Sequence, residues 1–169
     1  MIRHFTEKKF SVNIFDHWNN NDSCFYLSLR IVEVKNRYGA YLLVDEAHSL
    51  GVLGEHGRGR AEEAGVIAEV DFIVGTFSKS LGAIGGYCAS YHPELDLVRY
   101  ASRPYVFTAS PSPSTIASTR SALKQLRSRP ELRRRLWDNA GRLYHSLQEL
   151  GFSLSPEPSP IVAVRLPSR

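Results

Sequence analysis

With 169 residues, 43% hydrophobic and 22% charged, the chain is one domain's worth of an ordinary soluble globular protein, long enough to bury a core. Two cysteines, Cys24 and Cys88, exclude a disulfide framework. No apolar run reaches a membrane span and the N-terminus lacks a signal peptide's apolar core, so a cytoplasmic protein without a transmembrane segment is expected. The net charge of +4 is localised: between Arg120 and Arg142 stand eight basic and two acidic residues, a segment of +6 against −2 for the remainder.

Residues 1–29 hold no sustained period, and Asn19-Asn20-Asn21-Asp22-Ser23 reads as a polar turn. Over 30–38, the residues Ile31, Val32, Val34 and Tyr38 mark the end of an amphipathic helix capped by Gly39, its first turns missing or replaced. Tyr41-Leu42-Leu43-Val44, closed by Asp45, has the continuous apolar character of a parallel strand covered on both faces. A loop with Gly51, Gly54, Gly57 and Gly59 leads to a short helix over 61–68 and a second strand over 70–75. Strand, helix, strand predicts a right-handed βαβ unit. Asp45 and Lys79 then emerge at one carboxyl edge of the sheet, where open α/β sheets bind ligands.

After Gly85-Gly86 a strand over 87–90 follows too soon for a parallel crossover, so it is expected to be antiparallel. Pro93 starts a helix through Tyr100, and 103–112 reads as irregular or strand. Helices are predicted over 114–127 and 130–150. In the second, Leu132, Leu136, Ala140, Leu143, Leu147 and Leu150 form a core-facing stripe ended by Gly151. The arginines of these helices carry no aromatic interleaving and no nucleic-acid motif, so a solvated helix face is preferred over a nucleic-acid surface. Pro156, Pro158 and Pro160 mark a linker, and 161–166 alternates like an opening strand.

Two motifs carry chemistry. Lys79 lies between serines in a loop that also holds Gly82, Gly85 and Gly86. It reads either as a solvated loop lysine or as an amine that forms a Schiff base, with hydroxyls and backbone N–H groups beside it for a phosphate. Asp45-Glu46-Ala47-His48 spells the DEAH of a helicase or ATPase core. That reading requires an upstream G-x-x-x-x-G-K-[ST] loop, which the sequence lacks, so the ATPase is the distant alternative.

LLVDEAHSLGVLGEHGRG followed by GTFSKSLGAIGGY resembles the α-oxoamine synthases, fold-type-I pyridoxal phosphate enzymes. Within them, TFSKS and RPYVFTAS are most similar to the serine palmitoyltransferase branch. The resemblance covers roughly 31–166 and implies an α/β fold, part of a large domain with a mostly parallel sheet and flanking helices. It implies pyridoxal 5'-phosphate as cofactor, Lys79 as its imine-forming lysine, Asp45 as partner of the pyridine nitrogen, and His48 as a hydrogen-bond partner of the phenolic oxygen. Thr76 and Ser78 are implied to bind the phosphate. Thr108 and Ala109 match a segment that reaches the phosphate of a neighbouring subunit, implying a homodimer or association with a full-length homologue. The implied reaction condenses an amino acid, serine in this branch, with an acyl-CoA and loses CO2, as in sphingoid-base synthesis. No metal is implied.

The family's upstream half and its small C-terminal domain have no counterpart in the sequence, so an internal piece, truncated at both ends and without turnover by itself, is expected. Residues 1–29 are read as unassigned and irregular, 30–155 as a partial cofactor-binding large domain, and 156–169 as a linker and the first strand of a further domain. The other reading is a non-catalytic dimerisation or interaction remnant.

Overall fold

The computed structural model describes residues 11–12, 23–155 and 157–165, with side chains from 30 onward. The polar turn expected before Ser23 and the proline at 156 lie outside the described residues. Strand β1 (Ser11–Val12) and helix α1 (Ser23–Tyr38) come first, so the described parts of 1–29 are regular where irregular chain was expected. Gly39 (φ 56°) stops α1 in the left-handed conformation that suits glycine.

Strands β2 (Leu43–Asp45), β3 (Phe72–Thr76) and β4 (Gly86–Ser90) complete a sheet ordered β1-β2-β3-β4. The first three strands are parallel and β4 is antiparallel to β3, with Asp45 opposite Val74 and Thr76 opposite Gly86. The expected parallel and antiparallel pairings are therefore both present. Between β2 and β3 the expected single helix is instead a short α2 (Arg60–Glu63) and a 3-10 turn (Ile67–Glu69), with Gly65 (φ 69°) between them.

The core joins Val32 of α1 to Leu42 and Val44, with Ala61, Ala64, Val66 and Val70 from the crossover. Leu42 and Val44 are buried while Leu43 and Asp45 are half-buried. This alternation departs from the expectation of a strand closed on both faces: the face of Leu42 and Val44 joins the core, and the face of Leu43 and Asp45 is half-buried.

Beyond β4, α3 (Leu95–Ala101) is followed by α4 (Arg103–Val106), a single turn in the segment expected to be irregular or strand. Helix α5 (Pro113–Ser128) begins with Ser112 accepting the Thr115 N–H at 3.2 Å and with Pro113, which has no N–H to satisfy. Helix α6 (Pro130–Glu149) ends at Gly151 (φ 83°). There the Gly151 N–H donates to the Gln148 carbonyl and the Phe152 N–H to the Leu147 carbonyl. That pair of bonds satisfies carbonyls the helix end would otherwise leave open.

The stripe expected on α6 is only partly its buried face. Of its members Ala140 is buried and Leu132 and Leu147 are half-buried, but Leu136, Leu143 and Leu150 are exposed, while Tyr144, outside the stripe, is buried and Trp137 half-buried. The helix is turned by its polar-tipped aromatics. Trp137 Nε1–H donates to the Val52 carbonyl at 3.0 Å, and the Tyr144 hydroxyl to the Ser155 carbonyl at 2.6 Å. The final strands, β5 (Ser153–Leu154) and β6 (Val164–Arg165), pair as a short antiparallel hairpin.

Candidate active site

Two loops leave the carboxyl ends of β2 and β3 side by side. At the end of β2, Asp45 Oδ1 accepts the Ala47 N–H at 2.8 Å, which turns the chain as a short aspartate side chain does after a strand. The Glu46 N–H donates to the Val74 carbonyl at 2.8 Å, keeping the two strand ends together. His48 stands exposed on the turn that follows.

At the end of β3, Thr76 organises its loop. Its hydroxyl donates to the Gly85 carbonyl at 3.0 Å, receives the Ser78 N–H at 3.2 Å and lies 2.8 Å from the Ser78 hydroxyl. The Phe77 N–H donates to Gly85 and the Ala83 N–H to Phe77, so residues 77–85 fold back on themselves. Gly75 is required here by packing. A Cβ on it would lie 2.7 Å from the Tyr87 ring, which stacks on Phe77 with centroids 5.8 Å apart. Lys79 projects exposed from this loop.

These loops place Asp45, His48 and Lys79 within electrostatic reach of one another. The pKa of His48 is lowered by burial first and by the Lys79 ammonium second, with Asp45 opposing. A lowered pKa keeps His48 neutral at pH 7, with one ring N–H to donate. Tyr87 on β4 is pushed up to about 12 by burial and then by the Glu46 and Asp45 carboxylates, so it is a neutral phenol.

Beside His48, Lys79 and Ser80 opens a groove of about 580 Å³, walled by Leu126, Leu132 and Ile161 among others. Ligand sites combine such apolar walls with a few convergent polar groups. The amine, carboxylate and imidazole, together with the Ser78 hydroxyl, can hold a cofactor carrying an aldehyde, a basic ring nitrogen and an anionic group.

Of the residues singled out from sequence, Asp45, His48, Thr76, Ser78 and Lys79 meet at this edge. Thr108 and Ala109 do not join them. Both are exposed past α4, with the Thr108 hydroxyl donating to the Pro104 carbonyl. Sequence reading passed over two buried-side features of the site, Tyr87 and Glu46. Strand alternation alone turns Glu46 away from the face of Asp45, but its role as an acceptor depends on N–H groups 14 and 15 residues later.

Comparison with known proteins places this geometry. Residues 29–169 match the model of aminotransferase class I and II. A serine palmitoyltransferase of Caulobacter vibrioides is 58% identical over 139 residues, 82% of this chain and 34% of that protein. An 8-amino-7-oxononanoate synthase of Alkaliphilus metalliredigens is 42% identical over 79% of this chain and 34% of its own length. A solved structure of SPT with PLP superposes with a TM-score of 0.82 at 40% identity, covering 92% of this chain and 39% of that one. The chain spans about a third of the length of the curated relatives it matches. Among the described residues no helix is long and apolar enough to cross a membrane. With the match running through both loops of the sheet edge, the chain belongs to the aminotransferase class I and II family.

Proposed function

We propose that the chain carries the cofactor-binding part of a pyridoxal phosphate-dependent acyltransferase that joins serine to a long-chain acyl-CoA. A C–C bond forms between the serine α-carbon and the acyl carbon, the serine carboxylate leaves as CO2, and the CoA thiol is released. The observation that carries this reading is the convergence of Lys79, Asp45 and His48 at one strand edge, coupled through their charges. It is supported by the 58% identity to a serine palmitoyltransferase and by the likeness to a structure of SPT with PLP.

When bound, pyridoxal phosphate supplies an electron sink for bond breaking at the amino-acid α-carbon. Lys79 would be the amine that holds the cofactor and moves a proton at that carbon. Asp45 would keep the ring nitrogen protonated, and neutral His48 would donate its N–H to the phenolic oxygen. Thr76 and Ser78 would both bind the phosphate through their hydroxyls, the Thr76 proton turning away from the Gly85 carbonyl and the Ser78 proton away from the Thr76 hydroxyl. Thr108 and Ala109, exposed past α4, would serve a neighbouring copy in a homodimer or a full-length homologue. Lys79, His48 and Ser78 are all exposed, so water reaches every reacting position and the chain alone would have no synthase turnover.

A second reading, an association element without catalysis, is favoured by the exposed Tyr100, Tyr105, Val106 and Phe107 beside Thr108. One experiment separates the two. The chain is mixed with pyridoxal phosphate, reduced with borohydride and mapped by peptide mass spectrometry. A pyridoxyl label on Lys79, absent in Lys79→Ala, is expected. A label on another lysine, or none, overturns the cofactor reading and leaves the association element.

A further inference from the structure

One member of the DEAH run takes no part in the chemistry above. Glu46 is 0% exposed, the largest fully buried side chain among the described residues. Its Oε1 accepts the Ala61 N–H at 2.8 Å, and its Oε2 accepts the Arg60 N–H at 2.8 Å and the Ser49 hydroxyl. Its own carbonyl receives the Ser49 and Leu50 N–H groups. One side chain thus holds both ends of the loop over 47–59, at the residue after His48 and at the start of α2.

The loop is shaped around that carboxylate. A Cβ at Gly59 (φ 111°) would fall 2.3 Å from Glu46 Oε2, so both the backbone conformation and the space demand glycine. Gly51, Gly54, Gly57 and Gly59 all have positive φ, and a loop so rich in glycine loses much conformational entropy when it orders. Hydrogen bonds to an ionised acceptor are the strong and directional kind needed to oppose that loss. Burial raises the carboxyl's pKa, and the net shift stays upward although the Ser49, Ala61 and Arg60 bonds oppose it. All three partners are donors, which suits the ionised form.

We propose that Glu46 is a positioning residue whose buried carboxylate fixes the 47–59 loop and so holds His48 beside Asp45 and Lys79. The proposal rests on the cofactor reading for what His48 does, and on the contacts above for where His48 is held.

The test uses the whole chain without cofactor. In Glu46→Gln the carboxamide keeps one acceptor but turns an N–H pair toward the other side, so the Arg60 or Ala61 N–H loses its acceptor. The expected result is a folded chain by circular dichroism in which amides of 49–60 exchange roughly tenfold faster or more. The His48 ring resonances should shift and its titration midpoint should move. Ser49→Ala removes a single donor and should change the same signals in the same direction, less strongly. Unchanged exchange and unchanged His48 signals in folded Glu46→Gln overturn the proposal. If Glu46→Gln does not fold, the same null result in Ser49→Ala does so. Borohydride labelling of Lys79 in the unaltered chain is read separately, so a failure of the cofactor reading leaves the loop result distinguishable.

Discussion

The two ends of the sheet hold carboxylates in opposite ways. At the start of β3, Asp71 accepts the Leu42 N–H at 2.7 Å, pairs with Lys35 at 3.1 Å and meets His92 Nε2 at 2.9 Å, with its side chain 12% exposed. His92 is itself stacked on Phe72 and set edge-on to Tyr41. That end ties α1, β2, β3 and the chain after β4 into one knot. At the other end, Asp45 accepts a single backbone N–H and faces an exposed histidine and lysine. A carboxylate whose oxygens are all used by the protein stabilises the fold. One that accepts a single backbone N–H beside an exposed neutral imidazole and an ammonium is placed to meet a ligand.

The largest test of that contrast is stability. Asp71→Asn should cost about 2–4 kcal/mol in urea unfolding, because it leaves Lys35 without its counter-charge. Asp45→Asn should cost less than about 1 kcal/mol. Equal losses would break the comparison. Burial alone would raise the pKa of Asp71, but the Leu42, His92 and Lys35 bonds outweigh it and the net shift is downward. The knot's contribution is therefore fully present above the ordinary carboxylate range and is lost as pH falls through the depressed value. Acid titration of the Asp71→Asn chain should lack that loss.

An intermediate effect is expected where β3 passes from the knot to the open end. Gly75→Ala drives a Cβ into the Tyr87 ring and should destabilise the chain by roughly 1–3 kcal/mol. Tyr87→Leu in the same background should restore part of the loss, because the smaller side chain makes room. The mildest effect is a titration without a stability change. Removing the Lys79 charge should raise the His48 pKa, and Asp45→Asn should lower it, since the first opposes and the second favours the imidazolium. Parallel shifts by NMR would show that the three groups do not form one electrostatic unit.

The open end of this contrast was readable from the sequence because it depends on strand ends, whereas the Asp71 knot was not. Asp45 closes an apolar run and Lys79 follows another, so parallel pairing puts both at one edge. What escaped the sequence depends on partners far along the chain. The buried face of α6 was read only in part from leucine spacing, because Trp137 and Tyr144 also turn the helix by reaching carbonyls 85 and 11 residues away. Glu46 escaped for the same reason. Its acceptor role becomes visible only when the loop returns to it 14 and 15 residues later. The one turn of helix in α4 is set by Pro104 and its neighbours in a run whose β-branched and aromatic residues favour strand.

The reach from Trp137 back to Val52, together with the Arg133 guanidinium on the Glu55 carbonyl, has a consequence in time. During synthesis, at about 5–20 residues per second, the glycine loop leaves the ribosome roughly 4–17 s before the tryptophan that braces it, given their separation of 85 residues. In that interval the internal turns and the Glu46 contacts are available, because all their donors lie within 15 residues. The outer brace is not. The His48 loop is thus assembled in two stages, an early local one and a late one that waits for α6.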